Sequence, residues 1–333
     1  LASAKFFLTL VIWQKISSPL RAPGTKTRVF WKNPIPSPFI PIRLIFNGIF
    51  CLTLRLISLL YHVVSQWLRI CYNKTMNTKT SHFSPLDFPE QLRTYIEGAT
   101  LSDSSSHSGA RVLYLDSGYY LKIDQKGRLE REASIARWFE TKGLGTPVIE
   151  YLSKDKDYLL TKEAIGHDAL AFLDQPEKIC STMAEALKKL HSLNPKNFPS
   201  DNHLQAYKER ALKNYEKGEF YAKALLPQFQ INSREEAFQL IQEHGHLLKT
   251  DAFIHGDACL PNFILKDAYH FSCFIDLGLA DFSDRHIDLF WAVWSLNYNI
   301  QDPKYAELFL DYYGRDQVDI HKLRLVAAFE AFG

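Results

Sequence analysis

This 333-residue chain has only five cysteines, and Cys51, Cys71, Cys180, Cys259 and Cys273 include no pair at metal-ligand spacing. That argues against a zinc or iron–sulfur staple and points to a reduced, cytoplasmic setting. Methionine is rarer still, occurring at Met76 and Met183. Internal repeats and long low-complexity tracts are absent, which excludes a solenoid and a disordered scaffold. Residues 1–75 hold ten Lys or Arg and no Asp or Glu at all.

A basic, acid-free stretch of that kind fits a targeting segment, a membrane-proximal segment, or sequence translated from upstream of the true start. The expectation is the last, with the native product beginning at Met76. The rival is a membrane anchor over residues 44–68: 25 residues with Arg55 as the only charge, where a spanning helix needs about 20 apolar residues. The central arginine would cost on the order of 2.5–3.5 kcal/mol on insertion scales. Membrane contact is expected only if that segment is part of the protein. The whole chain carries 39 basic and 37 acidic residues; without the ten basic ones, 76–333 has 29 against 37, a net charge of −8. An acidic body disfavours nucleic acid and suits a cationic small molecule, since a cleft of one sign concentrates the opposite charge.

What the chain does have is His255-Gly256-Asp257-Ala258-Cys259-Leu260-Pro261-Asn262, followed by Ile275-Asp276-Leu277-Gly278. A hydroxyl nucleophile needs a carboxylate to orient it and take its proton, and a nucleoside triphosphate needs magnesium held by oxygen ligands beside the phosphates. Asp257 fits the first role, and Asn262 with Asp276 the second. Pro261 keeps the intervening loop from becoming helix. Phe263-Ile264-Leu265 and Phe271-Ser272-Cys273-Phe274-Ile275 read as a hairpin that delivers Asp276 at its end. Taken alone, Asp257 could equally cap the amides of a turn; the three polar positions together favour chemistry.

This stretch resembles the aminoglycoside phosphotransferase family, above all its 3'-phosphotransferases, which carry His-Gly-Asp with Asn five positions after the Asp and then Phe-Ile-Asp-x-Gly. The resemblance runs from about Pro85 to the last residues. It implies an α+β, protein-kinase-like two-lobed fold, with a small sheet-plus-helix lobe over 76–165 and a mainly helical lobe over 166–333. It also implies ATP and Mg2+ as cofactors, and as substrate a small hydroxylated molecule, most readily a polycationic aminoglycoside phosphorylated at its 3'-hydroxyl, with resistance as the outcome. The rival substrates are another hydroxyl metabolite or antibiotic, and the rival class is a non-catalytic nucleotide-binding protein. Oligomeric state is not legible.

Upstream, Tyr119-Tyr120-Leu121-Lys122-Ile123 is an apolar strand with one lysine, and Leu129, Ala133, Ala136 and Phe139 step through a following helix that carries Glu130 and Glu132. By resemblance Lys122 meets the α- and β-phosphates and Glu132 is its ion-pair partner, with Glu130 as competitor. Gly-x-Gly-x-x-Gly is replaced by the serine-rich run 102–110, in which Ser108 is the candidate phosphate contact. Backbone groups of Lys162 and Ala164 would read the adenine and Tyr120 would stack on it.

In the second half, Ile179, Met183, Leu187 and Leu190 recur at helical steps, and Pro195 closes that helix. His191 reads as a packing residue. Ser233 and Glu236 read as a reciprocal capping box. The acid matching Asp288 braces the catalytic loop in the family, and Trp291, Trp294 and Leu296 read as core. The departures concern substrate binding. The family's C-terminal acids are matched here by Ala327 and Ala328, and the arginine after Asp-x-Gly by Leu279. Glu330, Glu216 and Glu219 are the candidate replacements.

Overall fold

The computed structural model describes residues 83–105, 109–194, 198, 200 and 202–333. The expectations for residues 1–75, for the segment 44–68, for Ser108 and for Pro195 lie outside the described residues. Among the described residues no helix is long and apolar enough to cross a membrane.

The first lobe is an antiparallel sheet in the order β1-β2-β3-β5-β4, formed by Leu101–Asp103, Arg111–Leu115, Tyr119–Gln125, Lys156–Lys162 and Val148–Ser153 for β1, β2, β3, β5 and β4. Period-two alternation sets its faces. Leu113, Leu121 and Leu160, side by side in the register, are fully buried beneath the short helix α1, Glu90–Ile96. Tyr120 and Lys122, one step to either side of Leu121, therefore share the opposite face.

The helix α2, Glu130–Thr141, lies between β3 and β4 in sequence. Its first turn packs lightly on the sheet through Leu129, Ala133 and Leu159, while Ile135, Trp138 and Phe139 belong to the core of the second lobe. Trp138 stacks on Phe253 at 4.5 Å and 23°, and Leu144 O accepts the Phe274 N–H at 2.8 Å. Helix α2 is thus rooted in the second lobe while its N-terminus reaches the sheet.

That lobe is mainly helical: α3 (Pro176–His191), α4 (His203–Glu216), α5 (Arg234–His244), α6 (His286–Ile300), α7 (Pro303–Tyr313) and α8 (Ile320–Glu330). Helix α3 starts with Pro at its first turn, where no intrahelical N–H bond is lost, and buries Ile179, Met183, Leu187 and Leu190 at helical steps. The Asp302 and Asp319 side chains cap α7 and α8. At α5 only half of the expected box forms. Ser233 Oγ accepts the Glu236 N–H at 3.0 Å, but Glu236 bonds the Asn232 N–H at 2.9 Å and Arg324 at 3.1 Å instead of reaching Ser233. The stronger guanidinium partner draws its carboxylate away.

Two small sheets carry the functional loops. The hairpin β8–β9 pairs Phe263–Asp267 with His270–Phe274, β6 (His167–Asp168) joins its edge, and β7 (Ala252–Ile254) pairs with β10 (Asp281–Ser283). Gly166, entering β6 at φ +119°, passes so close to β8 that a Cβ would lie 2.1 Å from Leu265 O. Only glycine fits there.

Candidate active site

The loop between β7 and β8 is held from below by Asp288, which is fully buried on the first turn of α6. Its carboxylate accepts the N–H groups of His255 at 2.7 Å and Gly256 at 2.8 Å, and His191 Nε2 lies 3.1 Å away. His191, whose Nδ1 is 2.8 Å from the Tyr313 hydroxyl, is accordingly a buried brace and not an acid or base. His255 Nε2 donates to Ile275 O at 2.9 Å, so its Nδ1 is the acceptor for the Asp257 N–H at 3.2 Å. One imidazole thus ties the loop bearing Asp257 to the residue preceding Asp276. Gly256 has φ +86°, and a Cβ would meet Leu279 O at 2.4 Å.

Asn262 Nδ2 donates to Asp257 O at 2.8 Å and to its Oδ2 at 3.0 Å. This fixes the Asp257 carboxylate and leaves the Asn262 amide oxygen as an acceptor. The Asn262 carbonyl accepts the Ile275 N–H at 3.2 Å, which sets Asp276 beside it. Asp276 follows the end of β9 with φ +57°, a left-handed conformation that short polar side chains tolerate. Its carboxylate meets Lys122 Nζ at 3.0 Å, and Lys122 also reaches both Glu132 oxygens at 2.8 Å. Glu132, not Glu130, is therefore the partner of Lys122. Burial pulls the Lys122 ammonium down, but the Glu132 and Asp276 carboxylates outweigh it and leave its pKa raised. Burial likewise pushes the Glu132 carboxyl up, with Lys122 opposing.

A residue that sequence reading passed over holds this cluster together. Arg131, between the two acids of α2, donates to Gly278 O at 2.9 Å, to Ala280 O at 3.0 Å and to the fully buried Asp281 at 3.0 Å. The same Asp281 oxygen accepts the His203 N–H at the start of α4, at 3.3 Å. The guanidinium thus occupies the segment where Leu279 stands in place of the family's arginine.

Tyr120 is 36% exposed on the Lys122 face, its ring 5.0 Å from that of Tyr114. At the connector, the Lys162 N–H is spent on Pro147 O at 2.9 Å and the Glu163 N–H on Gly118 O at 2.9 Å. Strand alternation sends the Lys162 carbonyl to the edge opposite Gly118. Ala164 N–H has no backbone acceptor among the described residues. A carbonyl at Lys162 and a donor at Ala164 are the pair a purine edge needs; the Lys162 amide itself is not available.

The cavity beside Asp257 has a volume of about 290 Å3, and Glu330, Arg210, Tyr207 and Trp291 are in its wall. A larger cavity, about 620 Å3, lies in the first lobe around Arg111 and Asp155 and includes none of Lys122, Glu132, Asp257, Asn262 or Asp276. It is remote from this chemistry. Of the three candidate substrate acids only Glu330 reaches the Asp257 cavity. Burial pushes its carboxyl up to about 7, with Arg210 opposing. Glu216, at the exposed last turn of α4, and Glu219, 3.6 Å from Lys217 and 56% exposed, do not line it. The turn after α4 directs them to solvent. Ala327 and Ala328 are fully buried in the core, so an acid at either position would be away from the cavity wall. Trp291, read as core, is only partly buried and faces the cavity, whereas Leu296 is core as expected.

Asn262 and Asp276 offer oxygen donors of the kind magnesium takes. Among the described residues no group of three or more His, Cys, Asp and Glu could close around a metal.

The chain matches a model of a phosphotransferase enzyme family over residues 99–326. It is 42% identical over 265 residues to a probable aminoglycoside 3'-phosphotransferase of Lactococcus lactis subsp. lactis, covering 77% of this chain and 99% of that one. An aminoglycoside 3'-phosphotransferase of Niallia circulans is 30% identical, covering 75% of this chain and 98% of its own. The crystal structure of an aminoglycoside-3'-phosphotransferase of type VIII superposes with a TM-score of 0.58 at 24% identity, covering 73% and 97% of the two chains. The fold is accordingly the α+β, two-lobed, kinase-like one.

Proposed function

We propose, for a chain that belongs to the phosphotransferase enzyme family, that it moves the γ-phosphoryl group of ATP to the 3'-hydroxyl of an aminoglycoside and so confers resistance. The observation that carries this reading is the agreement between a 42% identical relative of that name, aligned over nearly its whole length, and the convergence of Asp257, Asn262, Asp276, Lys122 and Glu132.

In this reading Lys122, held by Glu132, meets the α- and β-phosphates, and Tyr120 with the backbone of Lys162 and Ala164 seats the base. Asn262 and Asp276 would hold Mg2+, which when bound neutralises phosphate charge. Asp257 orients the acceptor hydroxyl. As the acceptor oxygen forms its bond to the γ-phosphorus, the bond from phosphorus to the β–γ bridging oxygen breaks. The electron pair leaves with ADP and the hydroxyl proton passes to the Asp257 carboxylate. Transfer of this type is mostly positioning and electrostatics. That is the service rendered by Asp288 beneath the loop and Arg131 behind the Asp276 segment.

The test is ADP release by the full-length protein with ATP, magnesium and aminoglycosides that have or lack the 3'-hydroxyl. Turnover restricted to those bearing it is expected. Equal turnover of both groups would move the acceptor elsewhere on the molecule, and turnover of neither would overturn the aminoglycoside reading.

A further inference from the structure

The wall opposite Asp257 contains a cation where a polyammonium acceptor would meet repulsion. Arg210, on α4, lines the same cavity as Asp257 and Glu330, and its guanidinium carbon lies 5.5 Å from the centre of the Tyr207 ring. Tyr207 is 4% exposed, and its buried hydroxyl is directed at the Glu330 carboxyl. His203 completes that wall. Burial pushes its imidazole down to about 4, so it brings no charge at neutral pH. Among its side chains, with the catalytic carboxylate set aside, the wall therefore carries one acid, Glu330, whose charged form burial disfavours, and one base, Arg210.

We propose that Arg210 is a specificity-determining residue that offsets Glu330 and turns this cavity toward acceptors presenting hydroxyls, in place of ammonium groups, beside the phosphorylated position. The proposal rests on the aminoglycoside reading above. A ring hydroxyl can donate to the Glu330 carboxylate and accept from the Arg210 guanidinium. An ammonium can use only the carboxylate, which it must share with the guanidinium, and it is repelled by the fixed cation in a partly desolvated space. Trp291, in the same wall, adds apolar surface beside Glu330 for a sugar ring to pack on. The substrate class that fits is an aminoglycoside with few amino groups on the ring that enters the cavity.

The experiment compares two acceptor pairs that differ by one group: paromomycin with neomycin (6'-hydroxyl against 6'-ammonium) and kanamycin A with kanamycin B (2'-hydroxyl against 2'-ammonium). The kcat/KM ratio within each pair is measured for the full-length wild-type protein, Arg210→Gln and Arg210→Lys. In at least one pair the wild type should favour the hydroxyl member. Arg210→Gln should move that ratio about tenfold toward the amine member, chiefly through KM, while Arg210→Lys keeps it within about twofold. A gain for one acceptor over its twin cannot come from misfolding, which lowers both together. Turnover with ratios unmoved by Arg210→Gln in both pairs overturns this proposal alone. No turnover of any of the four by the wild type overturns the aminoglycoside reading and the proposal with it.

Discussion

Arg131 and Asp281, separated by 150 positions in sequence, form a 3.0 Å ion pair whose acid is wholly buried and whose guanidinium also holds the carbonyls of Gly278 and Ala280. The pair ties the helix bearing Glu132 to the segment that follows Asp276. Breaking a buried pair from one side costs about 3–5 kcal/mol. The cost here should be nearer 1–3 kcal/mol, because Asp281 keeps its bonds to the His203 and Phe282 amides. Arg131→Met should lower the unfolding free energy by that amount in a denaturant titration and raise the KM for nucleotide about tenfold, with a smaller change in the KM for acceptor. Equal changes in both would remove the positioning role.

Asp257→Ala removes the group assigned to orient the hydroxyl and take its proton. A positioned general base contributes roughly 10²–10⁴-fold. A kcat lower by that factor is expected, with the dissociation constant for a non-hydrolysable ATP analogue within about twofold of wild type. Turnover at the wild-type rate would refute the assignment.

For Asp276→Ala the loss should fall on the nucleotide and not on the acceptor. Titration calorimetry with an ATP analogue is expected to show that adding magnesium no longer tightens binding, whereas in the wild type it does. Persistence of the magnesium effect would mean that other oxygens hold the ion.

Glu330 predicts a pH dependence of stability. Burial raises its folded pKa to about 7, above the ordinary carboxylate range, so the native state prefers the protonated form. The associated stability is fully present below about pH 4 and is lost as pH rises through 7. The whole effect is on the order of 3–4 kcal/mol at most. Glu330→Gln, which cannot ionise, should flatten the fall in Tm between pH 5 and 8. Parallel Tm profiles for variant and wild type would show that the carboxyl is not what titrates.

The Lys122 strand, the helix with Glu132 and the Asp257–Asn262–Asp276 series were legible because each rests on local pattern: alternation, helical stepping, and a loop punctuated by Gly and Pro. Arg131 was not, since its partners lie some 150 positions away and nothing near it in sequence announces a buried acid. The substrate wall was misread for a different reason. Helix α6 buries Ile287, Leu289, Phe290 and Val293 on most of its circumference, so apolar spacing gives no sign that Trp291 looks into a cavity. Helix α8 is equally apolar, and its phase, invisible in the sequence alone, decides that Glu330 and not residue 327 or 328 faces Asp257.

The rooting of α2 in the second lobe, through Trp138 on Phe253, assigns the parts of the machine to two mechanical bodies. Glu132, Arg131, Asp257 and Asp276 ride on one body, and Lys122 and Tyr120 on the other. An opening that parts β3 from α2 must stretch two links from Lys122, to Glu132 at 2.8 Å and to Asp276 at 3.0 Å. A compound wedged at that seam would hold the machine apart without occupying the base or acceptor positions.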